Sequence, residues 1–231
     1  IAAPDEAGFQ ALLAKYKDDE YSEEERLFLL MMLINYKVRQ ANQNQPEATE
    51  GAFALYRLGI RDKIFEVSGF FPTAPFHNIV TIACRLKRLD WALQFIKEKG
   101  PLLNADEREN ATNLALVKVN VEKGDFEPAR AVFNQIDINS MADSLQLRLL
   151  RIRTFYELPD YRNLLKPECA NLKQYIHKKG TISVQRPAIL TFCKVVLHLA
   201  NKEKKQAEAL VNQHPDVIGK EWLLEKIRRM V

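Results

Sequence analysis

Gly124-Asp125-Phe126-Glu127-Pro128-Ala129-Arg130-Ala131-Val132-Phe133 is the stretch that decides the fold. Gly124 follows the apolar series Leu114, Leu116, Val117 and Val121, and Phe126 opens a new one. A glycine takes the left-handed conformation at a helix end without a Cβ penalty. The spacing therefore predicts a helix that begins at Asn104 or Asp106 and ends at Gly124. A second helix, Phe126 to Ile136, then returns antiparallel to it. Ala129, five positions after the glycine, is a small residue where two helices can touch, and the aromatic Phe133 follows four later.

The same offsets place Lys87, Ala92 and Ile96 in the helix pair before this one, and Pro159, Leu164 and Glu168 in the pair after it. Ala92 and Ala129 are 37 positions apart, and Ala129 and Leu164 are 35 apart. Such a period belongs to stacked helix hairpins. One hairpin cannot bury its apolar face alone, so neighbours share a core.

Outward from this centre, helical series fill the chain. Pro4 to Lys17 carries Phe9, Leu12, Leu13 and Tyr16 on one face. Ser22-Glu23-Glu24-Glu25 reads as a capping box. The helix that follows, to about Gln43, is apolar nearly all round over Leu27 to Ile34, so other helices should surround it there. Glu47 to Leu58 reads as a short helix stopped at Gly59, and Ile60 to Val67 as another. Thr73 is a candidate cap for a helix from Phe76 to Leu86, and Leu89 to Ile96 is its partner. Met141 to Tyr156 is a long helix. Tyr161 to Lys178 follows, with Pro167 near its start kinking it or splitting off its first turn, and Lys179-Gly180-Thr181 stops it. Pro187 to Leu199, Lys202 to Asn212 and Ile218 to Met230 complete the series. No segment alternates with period two for long. The expected class is all-α, an α-α superhelix: a solenoid of antiparallel helix pairs over residues 1–231. It divides into N-terminal helices (1–71), tetratricopeptide-like pairs (72–178) and C-terminal capping helices (179–231).

Composition agrees with a globular chain: 47% hydrophobic and 28% charged residues, with only 8 glycines among 231. The longest apolar run, Leu27 to Ile34, is too short to span a bilayer. Cys84, Cys169 and Cys193 form neither a CxxC pair nor an even framework. Buried free thiols in a reducing, cytoplasmic setting are expected. The chain begins with Ile1 and shows no secretory leader, so a piece of a longer chain is expected. Charge is uneven: residues 1–140 hold 17 basic and 21 acidic side chains, and residues 141–231 hold 17 and 9.

Gly124-Asp125-Phe126, Ala129 and Phe133 resemble the second half of a tetratricopeptide motif. The first half departs from it, with Asn113, Leu116-Val117 and Asn120 where Trp, Leu-Gly and Tyr are usual. Phe76-His77-Asn78-Ile79-Val80, Leu89-Asp90-Trp91-Ala92-Leu93-Gln94-Phe95-Ile96 and Phe155-Tyr156-Glu157-Leu158 also resemble a family of bacterial helical proteins that have no assigned function.

No phosphate-binding glycine loop, no Gly-x-Ser-x-Gly and no HExxH occur, and the four histidines are scattered. No enzyme, cofactor or metal is expected. The tetratricopeptide resemblance implies that the first helix of each pair lines a concave groove. Carried over, it puts His77, Thr81 and Arg85 there, then Leu114, Lys118 and Glu122, then Gln146, Arg153 and Tyr156. The expected function is a scaffold that holds a peptide or protein segment in that groove. The alternative is a nucleic-acid-binding or regulatory module that uses the basic last third, with Arg148, Arg151 and Phe155 able to share a face.

Overall fold

The computed structural model describes residues 6–18, 20–42, 45–66, 68–137, 141–178 and 185–230. Pro4, Gln43, Val67 and Lys179-Gly180-Thr181, expected to bound or stop helices, lie outside the described residues. Among the described residues every regular element is helical. They are α1 (Glu6–Tyr16), α2 (Glu23–Asn42), α3 (Pro46–Arg61), α4 (Thr73–Arg85), α5 (Leu89–Lys99), α6 (Ala105–Lys123), α7 (Phe126–Ala131), α8 (Met141–Glu157), α9 (Leu165–Lys178), α10 (Arg186–Ala200), α11 (Lys204–Gln213) and α12 (Lys220–Arg229). The all-α class is as the periodicity predicts. No helix among the described residues is long and apolar enough to cross a membrane.

The chain forms two compact units: Ile1–Asp125 with Asn134–Asp137, and Phe126–Phe133 with Ile138–Val231. The division falls inside the stretch that opened the sequence reading. Gly124 and Asp125 close the first unit, whereas α7 belongs to the second, where it packs against α8. The first unit carries a net charge of −4 and the second +8.

In the first unit α1, α2, α3 and α4 pack in succession, and α4, α5 and α6 all touch one another. Leu30, Leu33 and Ile34 of α2, Phe53 of α3 and Phe76 and Ile79 of α4 are sealed in its core. The capping box forms: the Glu25 amide donates to Ser22 Oγ at 3.3 Å, and Glu25 Oε2 accepts from the Ser22 amide at 2.9 Å. That bond to the amide holds the Glu25 carboxyl below its usual pKa.

Three local expectations are corrected. Gly59 does not end a helix: α3 runs through it to Arg61, and a turn follows in place of a helix from Ile60. The glycine is there for clearance, since a Cβ on it would stand 2.5 Å from Leu30 Cδ2 and from Phe65 Cε2. Neighbouring helices do not surround Leu27 to Ile34, because Phe28 is 63% exposed. Thr73 is the first residue of α4, not its cap, and its hydroxyl donates to Glu107 of α6.

One helix-ending turn recurs at four places among the described residues. Lys63, Lys87, Gly124 and Lys202 all have positive φ, from 55° to 89°. In each case the next amide donates to the carbonyl five residues back: Ile64 to Gly59, Arg88 to Ala83, Asp125 to Asn120 and Glu203 to His198, at 2.9 or 3.0 Å. These bonds close the orphan carbonyls of the helix end. Five residues after the last three of these turns stand Ala92, Ala129 and Ala207, all 0% exposed. Nine after them stand the buried Ile96, Phe133 and Val211. The expected register at Pro159, Leu164 and Glu168 is displaced. Pro159–Leu164 is a 3-10 turn and Leu164 is 39% exposed, while Leu165 and Cys169, one residue on, are buried; Glu168 is buried as well, at 6%.

In the second unit α8 lies between α7 and α9, α9 leads to α10, and α10, α11 and α12 all touch one another. Ile152, Leu172, Ile176, Phe192, Val195, Val196 and Leu223 form the sealed interior. All three cysteines are buried and unbridged. The Cys169 thiol is pushed up in pKa by its hydrogen bond with Cys193 and by burial.

Candidate functional site

The sequence-expected contact residues fall into two groups, one in each unit. Six stand on α4 and α6 of the first, and one of them is corrected: Leu114 is 2% exposed and belongs to the core, not to a groove wall. Thr81 donates from its hydroxyl to the His77 carbonyl at 2.8 Å and accepts from Lys118 Nζ. One turn further along, Lys87 Nζ donates to Glu122 Oε2 at 2.9 Å. These ties join residues 37 and 35 positions apart, so α4 and α6 lie side by side and parallel. His77 is half-buried with its ring edge-on to Phe76, and Arg85 is exposed. Thr81 and Lys118 are thus brought together, with the His77 backbone carbonyl accepting from the Thr81 hydroxyl.

The other three stand on α8 of the second unit. Gln146 is half-buried. Arg153 lies over the Trp222 ring, with its guanidinium carbon 5.4 Å from the ring centre. Tyr156 meets the same ring edge-on at 5.4 Å and is only 9% exposed, so its side chain belongs to the packing. Burial and the charge of neighbouring Glu157 raise its hydroxyl pKa.

Arg153 and Tyr156 belong to a larger arrangement that α8 builds. Leucines and isoleucine on its inner face (Leu147, Leu150, Ile152) turn the intervening arginines sideways along neighbouring helices. Arg148 lies over Tyr175 of α9 at 4.9 Å. Arg151 lies 5.8 Å from the centres of both Phe133 and Phe155, and Arg130 lies over Tyr161 at 4.6 Å. A guanidinium stacked on a ring keeps its N–H edge available for an acceptor in its own plane.

These edges are incompletely matched. The Nε atoms of Arg148, Arg151 and Arg186 are shielded from solvent and make no hydrogen bond among the described residues. Arg151 Nε faces Glu168 Oε1 at 3.6 Å, an ion pair beyond hydrogen-bond length, and that buried oxygen is itself unbonded. Arg186 uses Nη2 to donate to the Ile176 carbonyl of α9 at 3.3 Å. Arg148 and Arg186 therefore both stand at the C-terminal half of α9. Beside this group, Glu157 ties α8 to α12. Its Oε1 accepts from the Trp222 indole at 3.0 Å and pairs with Lys226.

Spacing along α8 suggested Arg148, Arg151 and Phe155 as one face. Arg186, Tyr175 and Glu168 were not legible, because they come from two other helices and no periodicity within α8 points to them. Comparison with protein-family models, with curated proteins and with solved structures found no match for this chain.

Proposed function

We propose that this chain is a non-enzymatic interaction module whose second unit holds an acidic segment of a partner protein. One observation carries this: guanidinium Nε groups of Arg148 and Arg186, withdrawn from water, have no acceptor. A buried donor left unmatched costs on the order of 1–3 kcal/mol. Both side chains are only half-buried, so a partner carboxylate can reach the guanidiniums beside those edges and add charge-assisted bonds. The net charge of +8 on this unit favours the same class of ligand. We read the stack as tetratricopeptide-like, with the recurring turns at Lys87, Gly124 and Lys202 and their buried alanines as the support. We keep the contacts expected of His77, Thr81, Arg85, Lys118 and Glu122 as a separate proposal for the first unit, and that of Gln146 for the second.

Nucleic acid is the second reading, favoured by the same charge. Stacking of bases would need open aromatic faces. Phe133, Phe155, Tyr156 and Trp222 are each less than 10% exposed, and arginines or lysine cover their faces. Tyr161 and Tyr175 are half-buried, each with an arginine over its ring, and we therefore rank carboxylates ahead of bases.

The test is fluorescence anisotropy with a Glu/Asp-rich peptide, a Lys-rich peptide and a single-stranded oligonucleotide. The acidic peptide should bind, and Arg148→Gln with Arg186→Gln should weaken it about tenfold or more. Binding of the oligonucleotide alone, with a steep loss as salt rises, would replace this reading by the second. Equal binding of the acidic peptide by native and variant protein would remove the arginine edges from the account.

A further inference from the structure

The first unit carries a different surface. Phe28 of α2 is 63% exposed, more than any other large apolar side chain among the described residues. It forms one wall of an open hollow of about 350 Å³, lined also by Lys15, Tyr21, Glu24, Glu25 and Leu29. The hollow accepts one bulky side chain. Along α2, Glu24, Phe28 and Asn35 are exposed and Met32 is half-buried. Steps of four, four and three residues put them in one stripe. That stripe covers roughly 16 Å of helix length, at about 1.5 Å per residue.

The rim around the hollow has a sign. Residues 15–25 contain six carboxylates and two lysines. Glu25 is tied to Ser22, and the Asp18 carboxylate accepts from the Glu20 amide. Glu20, Glu23 and Glu24 are exposed and make no ion pair among the described residues. Three glutamates at the start of α2 are accounted for by the helix dipole. An exposed phenylalanine beside them is not, since leaving its ring in water gives up about 1.5–3 kcal/mol of burial.

We propose that this hollow docks an amphipathic helix of a partner protein, one that inserts a single large apolar side chain beside Phe28 and sets lysine or arginine, a turn away, against Glu20, Glu23 and Glu24. The apolar anchor gives affinity and the carboxylates give selectivity for a basic helix. An anionic lipid surface would meet like charge on the same rim, so a protein helix is the occupant. The surface is independent of the arginine edges on α8, and its ligand has the opposite charge.

The experiment uses two labelled helical peptides with one Phe anchor, identical except that one carries lysines flanking the anchor and the other glutamates. Each is titrated against the native chain, Phe28→Ser and Glu23→Lys/Glu24→Lys. The lysine peptide should bind the native chain, weaken about tenfold with either variant, and weaken as salt rises. Its glutamate counterpart should not bind. Phe28→Ser replaces an exposed ring, so its melting midpoint serves as a check that the fold is intact. Equal binding of both peptides, or unchanged binding by Phe28→Ser, overturns the proposal. Two control arms can also overturn it. Native chain that sediments as a dimer and becomes monomeric with Phe28→Ser assigns the hollow to a second copy. Vesicles containing phosphatidylserine that bind the native chain but not Phe28→Ser assign it to a membrane.

Discussion

Gly59 lies against the edge of the Phe65 ring, so close that a Cβ on the glycine would stand 2.5 Å from Phe65 Cε2. Leu30 of α2 crowds the same point from the other side. Gly59→Ala should therefore destabilise the chain by about 1–3 kcal/mol, because both neighbours are sealed core side chains that cannot give way. Gly51, in the same helix, is the control. A Cβ there meets only the flexible Lys37 chain at 3.3 Å. Gly51→Ala should raise stability by a few tenths to about 1 kcal/mol through helix propensity. Urea unfolding of the two variants reads both signs, and a stable Gly59→Ala protein would show that α2 and α3 do not approach as described.

Lys202 holds φ at 63° to close α10, the place that Gly124 fills at the end of α6. A lysine there bears a left-handed cost of roughly 1–2 kcal/mol that glycine does not. Lys202→Gly should raise the melting midpoint, by up to about 1 kcal/mol of stability after the added freedom of the unfolded chain is subtracted. Ala207→Trp, five residues on at a 0% exposed site, should lower it by roughly 1–3 kcal/mol or more. The same pair of signs should appear at Lys87 and Ala92 if the turns are equivalent.

How much of this was legible follows from where each signal is stored. The helices could be read because apolar spacing and the Ser22/Glu25 box are local. The turn at Gly124 could be read because glycine announces it. The equivalent turn at Lys202 could not, since lysine takes the left-handed region rarely and nothing in Asn201-Lys202-Glu203 marks it. The register of Ala207 and Val211 that follows it is therefore unmarked, whereas Pro159 and Leu164 have the expected spacing although Leu164 is exposed and Leu165 is the buried leucine. Gly59 was misread for the complementary reason. Glycine marks a helix end and a close approach alike, and only Leu30 and Phe65, distant in sequence, decide between them. The contact residues on α4 and α6 were placed on adjacent helices by a period of 37 and 35, but their mutual bonding depends on side-chain reach. The arginine edges depend on Tyr175, Glu168 and Arg186 from other helices.

Asp62 gives the fold an acid dependence. Burial opposes ionisation of its carboxylate, but hydrogen bonds from Arg61 and Tyr16 and the charges of Arg61 and Arg26 outweigh it. The folded pKa is therefore below the usual carboxylate range. A depressed carboxylate adds stability that is complete above the unfolded pKa and is lost as pH falls through the folded one. Asp62→Asn should cost roughly 1 kcal/mol at pH 7, discounted for partial exposure. The gap from native should close below about pH 4. Unfolding curves at pH 7, 5 and 3 check this, and a gap that stays constant with pH would assign the loss to packing.

Glu157 is the joint between α8 and α12. It accepts from the Trp222 indole and pairs with Lys226, whose side chain is 11% exposed. Glu157→Ala would leave the indole N–H without its acceptor and Lys226 with only Glu225, 3.6 Å away. A loss of about 2 kcal/mol or more is expected, since removing one partner strands the other in a poorly hydrated place. Glu157→Gln keeps a carbonyl oxygen for the indole and should cost less. Trp91 and Trp222 are the two tryptophans of the chain, so a Trp91→Phe background isolates the second as a fluorescence probe. In that background Glu157→Ala should red-shift the emission, as water reaches a ring that is 9% exposed in the native fold. Equal stability and equal spectra for the Ala and Gln variants would mean that α12 is held by Leu223 and Ile227 packing alone.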